Sequence, residues 1–296
     1  MELIDCKTIR NLMLNEAKKA ANQIFAQKGE KLKITIIQVL GDGASNVYIR
    51  NKLKTANEVG IVCKHIILPN TVEYDQLKNA ILNEVMDEDC TAVMLQLPLP
   101  DHLKPYQQSL LDLIPYYKDM DGIGVGSFGR LFTGQDCISP ATANGVIAVL
   151  NNCFSGVLDG LNIVLVGRSN LCNKPLVQLL QQRNCTVTLC HSRTKDLKKY
   201  TQQADVVIAA IGKAKYFDAS YFKDDAVVID IGMNRDENNK LCGDVSIESL
   251  KDTNIRVTPT PGGSGALTTA QLMLNVIKCN KLQSKSWGYT SCSVIC

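Results

Sequence analysis

The chain has 296 residues, of which 45% are hydrophobic and 21% charged, an average globular composition with no apolar run near the roughly 20 residues of a membrane helix. This length and composition exclude a membrane-spanning protein and favour two domains or one large α/β domain. The net charge of +3, from 32 basic and 29 acidic residues, is too small and dispersed for a nucleic-acid-binding surface, so we expect a small-molecule ligand.

Short β-branched runs alternate with longer amphipathic stretches through the first half of the chain, which is typical of βαβ units and a mainly parallel sheet. The predicted elements are helix 8–28, strand 33–39, a helix with Ser45 as its N-cap, strand 63–68, helix 74–85 and strand 92–97. The last strand stops at Pro98, because proline cannot continue a central ladder. The predicted fold class is therefore α/β.

Tyr48 and Lys52 lie four residues apart on the third predicted element, which places both side chains on one helix face. An aromatic ring beside an amine suits a flat, partly charged substrate, because the ring can stack on it while a desolvated amine acts as a base near pH 7. The same spacing also occurs on ordinary amphipathic helices with a solvated lysine. Gln96, at the carboxyl end of its strand, is expected on the same rim of the sheet.

The acidic loop, residues 118–124, contains Asp119, Asp121 and two glycines. One interpretation is an Asx-type turn, since turns use Asp and Gly routinely. The other is a carboxylate held in a pocket, where it accepts two parallel N–H donors such as those on the guanidine-like edge of a pterin.

The second half continues the alternation, with helix 142–151, strand 161–166, helix 176–183, strands 186–190, 205–210 and 226–231, and a last helix over 268–278. Gly167-Arg168-Ser169 follows the first of these strands, as in the first turn of a Rossmann unit, although the Gly-x-Gly-x-x-Gly fingerprint is absent. Ser192 and Arg193 follow the next strand, where an NAD-specific unit carries an acid. Arg168, Ser192 and Arg193 are therefore predicted to clamp the 2′-phosphate of NADP, with a solvated turn as the alternative.

Glycines mark three further positions near the predicted cofactor and substrate. Gly212 and Gly232 each follow a strand, where a cofactor could approach the backbone closely. The loop over 258–265 contains Pro261-Gly262-Gly263, a rigid proline followed by permissive glycines, and we expect it to line a pocket.

The chain resembles the methylenetetrahydrofolate dehydrogenase/methenyltetrahydrofolate cyclohydrolase family in motifs that span nearly its whole length. The motifs are Tyr48…Lys52, Gln96-Leu97-Pro98-Leu99-Pro100, Lys118-Asp119-Met120-Asp121-Gly122, Ser139-Pro140-Ala141-Thr142, Val166-Gly167-Arg168-Ser169, His191-Ser192, Ile229-Asp230-Ile231-Gly232-Met233-Asn234, Gly243-Asp244-Val245 and Thr258-Pro259-Thr260-Pro261-Gly262-Gly263. The resemblance implies oxidation of 5,10-methylenetetrahydrofolate by NADP to the methenyl cation and hydrolysis of that cation to 10-formyltetrahydrofolate. It also implies a homodimer of two-domain subunits with a cleft between the domains.

The same resemblance implies roles for individual residues. Lys52 becomes the central catalytic residue, Gln96 its modulator, Tyr48 a stacking platform and Asp121 the pterin anchor, while Thr142 and Ser169 join the cofactor-binding residues. We predict a folate-binding catalytic domain over 1–140, completed by a C-terminal helix over 266–296, and a Rossmann-type NADP-binding domain over 141–265.

The chain departs from the family pattern at a few positions. Cys172-Asn173 replaces the usual Val-Gly pair, so the cofactor turn is expected to approach a pyrophosphate less closely. Ala141 and Ala143 replace a cysteine and a proline, and Ala266-Leu267 replaces Pro-Met. The alternatives to the bifunctional enzyme are a monofunctional dehydrogenase of the family, a nucleotide- or folate-binding module without turnover, and an unrelated amino-acid or shikimate-type dehydrogenase.

The twelve cysteines lie in hydrophobic runs without Cys-x-x-Cys spacing, and the three histidines stand apart from them. They are predicted to be reduced packing residues, and no metal site is expected. The N-terminal residues carry two acids and lack the layout of a targeting segment, so a cytoplasmic location is the expectation. Residues 283–296 are predicted to form a poorly ordered tail.

Overall fold

Helices and parallel strands alternate along the chain in the computed structural model, which describes residues 1–40 and 44–287. The elements are β1 (Glu2–Leu3), α1 (Cys6–Lys28), β2 (Lys33–Val39), α2 (Ala44–Val59), β3 (Val62–Leu68), α3 (Tyr74–Met86), β4 (Ala92–Leu95), α4 (Gln107–Leu111), α5 (Val125–Phe132), α6 (Ala141–Cys153), β5 (Asn162–Val166), α7 (Asn173–Gln181), β6 (Thr186–Cys190), α8 (Leu197–Thr201), β7 (Val206–Ala209), β8 (Val227–Asp230), β9 (Asn234–Arg235), β10 (Leu241–Cys242), β11 (Arg256–Val257) and α9 (Ser264–Trp287). The predicted α/β class is confirmed.

The chain divides into two units, each with its own parallel sheet. The small-sheet unit comprises Met13–Ala141 and Thr269–Cys296, and the large-sheet unit comprises Met1–Leu12 and Thr142–Thr268. The predicted division at residue 140 differs from these units at the N-terminus, because β1 pairs with β11 and so joins the large sheet. Two-residue strands such as β1 have no hydrophobic periodicity by which a sequence could reveal them.

The small sheet has the order β3-β2-β4, with every pairing parallel. Its central strand β2 is buried along almost its whole length, which agrees with its nearly continuous β-branched sequence. Ile37 pairs with Ile66 and Leu95, and this face of the sheet packs on Leu77 and Ile81 of α3. Each fully buried aliphatic side chain of this kind stabilises the fold by about 1.5–3 kcal/mol.

The large sheet has the order β1-β11-β8-β7-β5-β6, again with parallel pairings throughout. From β5 the chain passes to β6 on one side and then to β7 on the other. The strand order therefore reverses at β5 and β7, and in open parallel sheets a ligand binds at the carboxyl ends of the strands at such a point. Gly167 follows β5 and lies at this position.

Several predicted boundaries are wrong by a few residues. The strand predicted over 92–97 ends at Leu95, and the final helix, predicted over 268–278, begins at Ser264 and continues to Trp287. The predicted tail is therefore wrong for residues 283–287, which are helical, while the rest of it lies outside the described residues. The prediction of Ser45 as an N-cap is also wrong, because α2 begins at Ala44 and Ser45 is already its second residue.

Other sequence predictions concern thiols, metals and membranes. The cysteines within the described ranges are free and mostly buried. In the same ranges no group of three or more His, Cys, Asp or Glu side chains is arranged to hold a metal ion. Among the helices described, none is both long and apolar enough to cross a membrane.

Candidate active site

Lys52 is a buried lysine that faces the small sheet from α2. Only 8% of the residue is exposed, and its Nζ donates a hydrogen bond to Gln96 Oε1 at 2.8 Å and lies 3.6 Å from Met94 Sδ. Burial lowers the pKa of Lys52, and the charge of Asp121 opposes this shift. The amine is thereby biased towards its neutral form, which is the form that can accept a proton. The alternative of a solvated lysine on an amphipathic surface helix is wrong.

Gln96 presents an oriented amide to this amine. Its backbone N–H donates to Ile37 O at 2.8 Å and so extends the pairing of β4 with β2 by one residue. Its side-chain Nε2 donates to Leu97 O, which leaves Oε1 as the atom that accepts from Lys52. The orientation of the amide thus follows from its two partners, and the predicted proximity of Gln96 and Lys52 is confirmed.

The acidic loop contains two aspartates with different surroundings. The buried carboxylate of Asp119 accepts from Gly122 N at 2.9 Å, Gly124 N at 2.9 Å and Ser127 Oγ at 3.0 Å. This is the turn-forming role, and burial raises the pKa of Asp119 to about 6.

Asp121 is the aspartate that acts on Lys52. Burial raises the pKa of Asp121 and the charge of Lys52 lowers it, so the two groups are close enough to influence each other's titration. Tyr48 lies one helical turn before Lys52 with 40% of its surface exposed. Lys52, Gln96 and Asp121 are therefore together in one unit, and the stacking role of Tyr48 stays a prediction.

The turn after β5 in the large-sheet unit can be formed only by glycine. Gly167 has φ +124°, and a Cβ at this position would clash with the carbonyl oxygen of Ala210, which follows the neighbouring strand β7. Arg168 and Ser169 come next and are exposed, and the N-terminus of α7 begins four residues later. The dipole of α7 favours an anion at this terminus, where Lys174 N–H donates to Ser169 O at 3.1 Å and Pro175 has no N–H.

The turn after β6 is adjacent to this one, because Cys190 pairs with Val166 at the ends of the two strands. Thr194 Oγ1 accepts from His191 N at 2.9 Å and so closes the turn with its own hydroxyl. Ser192 and Arg193 are left exposed on the same rim as Arg168. Arg168, Ser192 and Arg193 thus follow neighbouring strand ends with exposed side chains, and their role as a phosphate clamp stays a prediction.

Two buried carboxylates organise the other loops of this rim. Asp244 accepts from Ile211 N at 2.6 Å, Gly212 N at 3.1 Å and Lys213 N at 2.8 Å. Asp230 accepts from Gly232 N, Asp244 N and Val245 N at 2.9–3.0 Å, and burial raises its pKa to about 6. The sequence did not predict the two aspartates as organisers, although the motifs over 229–234 and 243–245 each contain one of them.

The predicted cofactor glycines Gly212 and Gly232 now have local explanations. Gly212 has φ +66°, the left-handed region that favours glycine, and a Cβ on Gly232 would clash with the carboxylate of Asp244. The local backbone conformation and packing therefore require glycine at both positions, whether or not a cofactor is bound. Direct contact of either glycine with a cofactor stays a prediction.

Thr142 and the Pro261-Gly262-Gly263 loop also belong to the large-sheet unit. Thr268 Oγ1 lies 3.4 Å from Thr142 Oγ1, which joins α6 to α9 near their first turns. Gly262 has φ +103°, and a Cβ on Gly263 would clash with a backbone carbonyl, so the loop has a fixed shape. The predicted contact of Pro261, Gly262 and Gly263 with folate stays a prediction.

The substituted pair Cys172-Asn173 faces the protein interior. Both residues are buried, and within the described part of the chain neither polar atom of the Asn173 side chain has a hydrogen-bond partner. The exposed surface of the cofactor turn is instead formed by residues 168–171. A positive-φ glycine, an exposed arginine and a helix N-terminus together fit the phosphates of a dinucleotide.

Comparison with known proteins agrees with this geometry. Residues 4–121 match the domain family described as "Tetrahydrofolate dehydrogenase/cyclohydrolase, catalytic domain", and residues 140–284 match "Tetrahydrofolate dehydrogenase/cyclohydrolase, NAD(P)-binding domain". The chain is 38% identical over 282 residues to "Bifunctional protein FolD" of Listeria innocua serovar 6a, which covers 95% of this chain and 97% of that protein.

Two solved structures show the same fold over almost the whole chain. The bifunctional FolD methylenetetrahydrofolate dehydrogenase/cyclohydrolase of Campylobacter jejuni is 32% identical with a TM-score of 0.89, over 96% of this chain and 99% of the other. The Trypanosoma brucei N5,N10-methylenetetrahydrofolate dehydrogenase-cyclohydrolase, complexed with NADP cofactor and inhibitor, is 26% identical with a TM-score of 0.88, over 96% and 98%.

Proposed function

Because the chain belongs to the tetrahydrofolate dehydrogenase/cyclohydrolase family, we propose how its own residues divide the two reactions of that family. The chain oxidises 5,10-methylenetetrahydrofolate to 5,10-methenyltetrahydrofolate with NADP and hydrolyses the product to 10-formyltetrahydrofolate. The observation that carries the assignment of residues is the buried amine of Lys52, hydrogen-bonded to the neutral amide of Gln96. Membership of this family, matched in both halves of the chain, excludes the unrelated shikimate-type alternative.

The dehydrogenase step needs no nucleophile from the protein. NADP, when bound, supplies the acceptor for the hydride, and the protein must hold the methylene carbon in reach of it. We assign that positioning to Tyr48, whose exposed ring can stack on the folate, and to Asp121, whose carboxylate can accept two N–H donors of the pterin. Arg168, Ser192 and Arg193 bind the 2′-phosphate.

The cyclohydrolase step needs proton transfer. Water attacks the cationic methenyl carbon, and the oxygen loses a proton to neutral Lys52. Cleavage of the bond between this carbon and the ring nitrogen then returns a proton to that nitrogen, and the complete reaction releases one proton. A cationic substrate beside Lys52 further favours the neutral amine, so one group can serve in both directions.

The test separates the two reactions in a single assay. Lys52→Met replaces the amine by an apolar side chain of similar length beside Met94, so the fold should persist. On addition of methylenetetrahydrofolate and NADP, absorbance should show NADPH and accumulating methenyl product, because oxidation continues while hydrolysis is lost. The matched control is Lys54→Met on the exposed side of the same helix, which should behave as the wild type.

Each outcome of this experiment is informative. An unchanged hydrolysis rate in Lys52→Met would exclude Lys52 as the proton carrier. Loss of NADPH formation together with hydrolysis, in a variant that still melts cooperatively, would assign Lys52 to substrate binding instead. The wild-type enzyme should form NADPH without accumulating the methenyl product, whereas a monofunctional dehydrogenase would accumulate it.

We also propose that the enzyme is a homodimer paired through β3. This strand has β2 as its partner on one edge, and no strand pairs with its other edge among the described residues. Val62 and Ile67 on this strand are 49% and 53% exposed, and a long edge with exposed β-branched residues favours pairing with another strand. Sedimentation of Ile67→Lys should give a monomer where the wild type gives a dimer, and an unchanged mass would contradict this interface.

We further propose a cytoplasmic location and a role in supplying formyl groups for purine biosynthesis. The average composition supports the location, and the 10-formyl product supports the role. Microscopy of the chain with a C-terminal fluorescent tag tests the first, and purine requirement of cells that lack the chain tests the second.

A further inference from the structure

Asn275 joins helix α9 to two loops of the small-sheet unit. The residue is 2% exposed, and its Nδ2 donates to Met120 O at 2.9 Å and to Ser139 O at 3.1 Å. Its Oδ1 accepts from Gln271 Nε2 at 3.0 Å. Two protons and one oxygen are thus all engaged, which fixes the orientation of the carboxamide.

The two carbonyls that Asn275 holds belong to segments that touch each other. A Cβ on Gly122, which has φ +70°, would lie 2.7 Å from the carbonyl carbon of Ser139, so these backbones are in close contact. Met120 is fully buried and directly precedes Asp121. The backbone of the acidic loop is therefore held by the carboxylate of Asp119 from inside and by Asn275 from α9.

We propose that Asn275 is a positioning residue for Asp121, fixing the backbone that carries the folate-anchoring carboxylate at its distance from Lys52. The inference rests on the proposed role of Asp121 in folate binding. Asp121 stands between two residues whose backbones are anchored, Met120 and Gly122, so the backbone position from which its carboxylate extends is fixed while both anchors hold. A displacement of about 1 Å at a binding group is enough to cost a large factor in rate.

The first test compares two leucine substitutions on the same helix. Asn275→Leu removes the donors to Met120 and Ser139, and Gln283→Leu removes similar donors, since Gln283 Nε2 donates to Thr91 O at 2.8 Å and to Tyr117 O at 3.4 Å. Both variants should lose thermal stability to a similar extent. Only Asn275→Leu should raise the KM for methylenetetrahydrofolate, by about tenfold or more, while the KM for NADP stays within about twofold of wild type.

The pH profile of hydrolysis distinguishes a displaced Asp121 from a general loss of stability, because a merely less stable protein would keep the same profile. The groups that face Lys52 are the neutral side chains of Gln96 and Met94 and the carboxylate of Asp121, whose charge favours the protonated amine. If Asp121 moves away in Asn275→Leu, the pH profile of hydrolysis should shift to lower pH. An unchanged profile with an unchanged folate KM would overturn the proposal.

A double-mutant cycle distinguishes failure of this inference from failure of the proposed function. In an Asp121→Asn background, Asn275→Leu should have little further effect on the folate KM, because both changes disable the same contact. An undiminished effect in that background would overturn the positioning role. If Asp121→Asn alone leaves the folate KM unchanged, the proposed anchor itself fails. Asn275→Ser, which keeps one donor, replaces the leucine variant if that variant does not fold, with an intermediate rise in KM expected.

Discussion

Lys52 Nζ and Gln96 Oε1 are joined by a 2.8 Å hydrogen bond in which a buried amine meets a neutral acceptor. The choice of an amide matters, because a carboxylate at this position would stabilise the ammonium form and hold its proton. With an amide as the partner, burial remains the largest influence on the pKa of Lys52 and favours the neutral amine. The pair therefore positions a proton acceptor without fixing it in the charged state.

Gln96→Glu should convert this neutral partner into a charged one. The carboxylate raises the pKa of Lys52, so a smaller fraction of the amine is neutral at pH 7 and hydrolysis slows. The rising limb of the hydrolysis rate should move to higher pH, and raising the pH should restore part of the rate. The profile is measured by decay of methenyltetrahydrofolate absorbance between about pH 6 and pH 10.

The control for this change is a substitution of similar size that adds no charge. Gln96→Met removes the oxygen acceptor without adding a charge, so burial still lowers the pKa of Lys52 against the charge of Asp121 alone, and the profile should not move to higher pH. If Gln96→Glu and Gln96→Met give the same profile, the amide does not tune the proton affinity of Lys52.

How far the sequence predicts this site depends on whether a residue belongs to a periodic element. Lys52 and Gln96 could be paired in advance, because Lys52 lies on a helix with a readable face and Gln96 lies at the end of a strand that Pro98 and Pro100 follow. The burial of Lys52 could not be predicted, since helix spacing is the same for a solvated lysine. The burial of Lys52 depends on tertiary contacts with Met94 and with the sheet on which α2 packs.

Asp121→Asn should weaken folate binding while leaving cofactor binding intact. The pterin edge has two N–H donors and therefore needs two acceptors. The new side-chain amide supplies one acceptor and one donor, so one hydrogen bond is lost and the NH₂ of the amide faces an N–H of the pterin. We expect the KM for methylenetetrahydrofolate to rise by about a hundredfold, in line with loss of a charged hydrogen-bonded pair. Steady-state kinetics with each substrate varied in turn measure this effect, and retained folate affinity would exclude Asp121 as the anchor.

The residues that hold loops in place were the least predictable part of the molecule. Asp244 binds backbone N–H groups 31–33 positions away, and Asp230 binds two that are 14 and 15 positions away, so these groups become neighbours only after folding. No short spacing in the sequence encodes such contacts. The glycines beside them, Gly232 and Gly243, were the only local sign, because a side chain at either position would clash with a buried carboxylate.

Arg168→Ala should change the preference of the enzyme between its possible dinucleotides. The guanidinium is exposed beside the Gly167 turn and can offer paired donors to a 2′-phosphate, which NAD lacks. The KM for NADP should rise by about tenfold or more and that for NAD by less than about twofold. Lys240→Ala, an exposed cation in the turn between β9 and β10, serves as the control for a general loss of positive charge. Equal effects of Arg168→Ala on both dinucleotides would exclude the clamp.

The free energy of unfolding should depend on pH through the buried carboxylate of Asp119. Burial raises its pKa to about 6 in the folded protein, above the usual value of 3.8, so between these values the folded state binds more protons than the unfolded state. Stability from this group is therefore fully present below the unfolded pKa and is lost as pH rises through about 6. The loss is on the order of 2–3 kcal/mol between about pH 4 and pH 7.

Asp119→Asn removes this titration while keeping one oxygen acceptor for the loop. The variant's stability at any single pH depends on how its amide fits Gly124 and Ser127, but the difference between wild type and variant should fall with rising pH by the amount above. Urea unfolding at a series of pH values measures the difference. Asp89→Asn is the control, because the ion pair with Lys33 lowers the pKa of Asp89 below this window. Parallel stability curves for wild type and Asp119→Asn would mean that the pKa of Asp119 is not raised by burial.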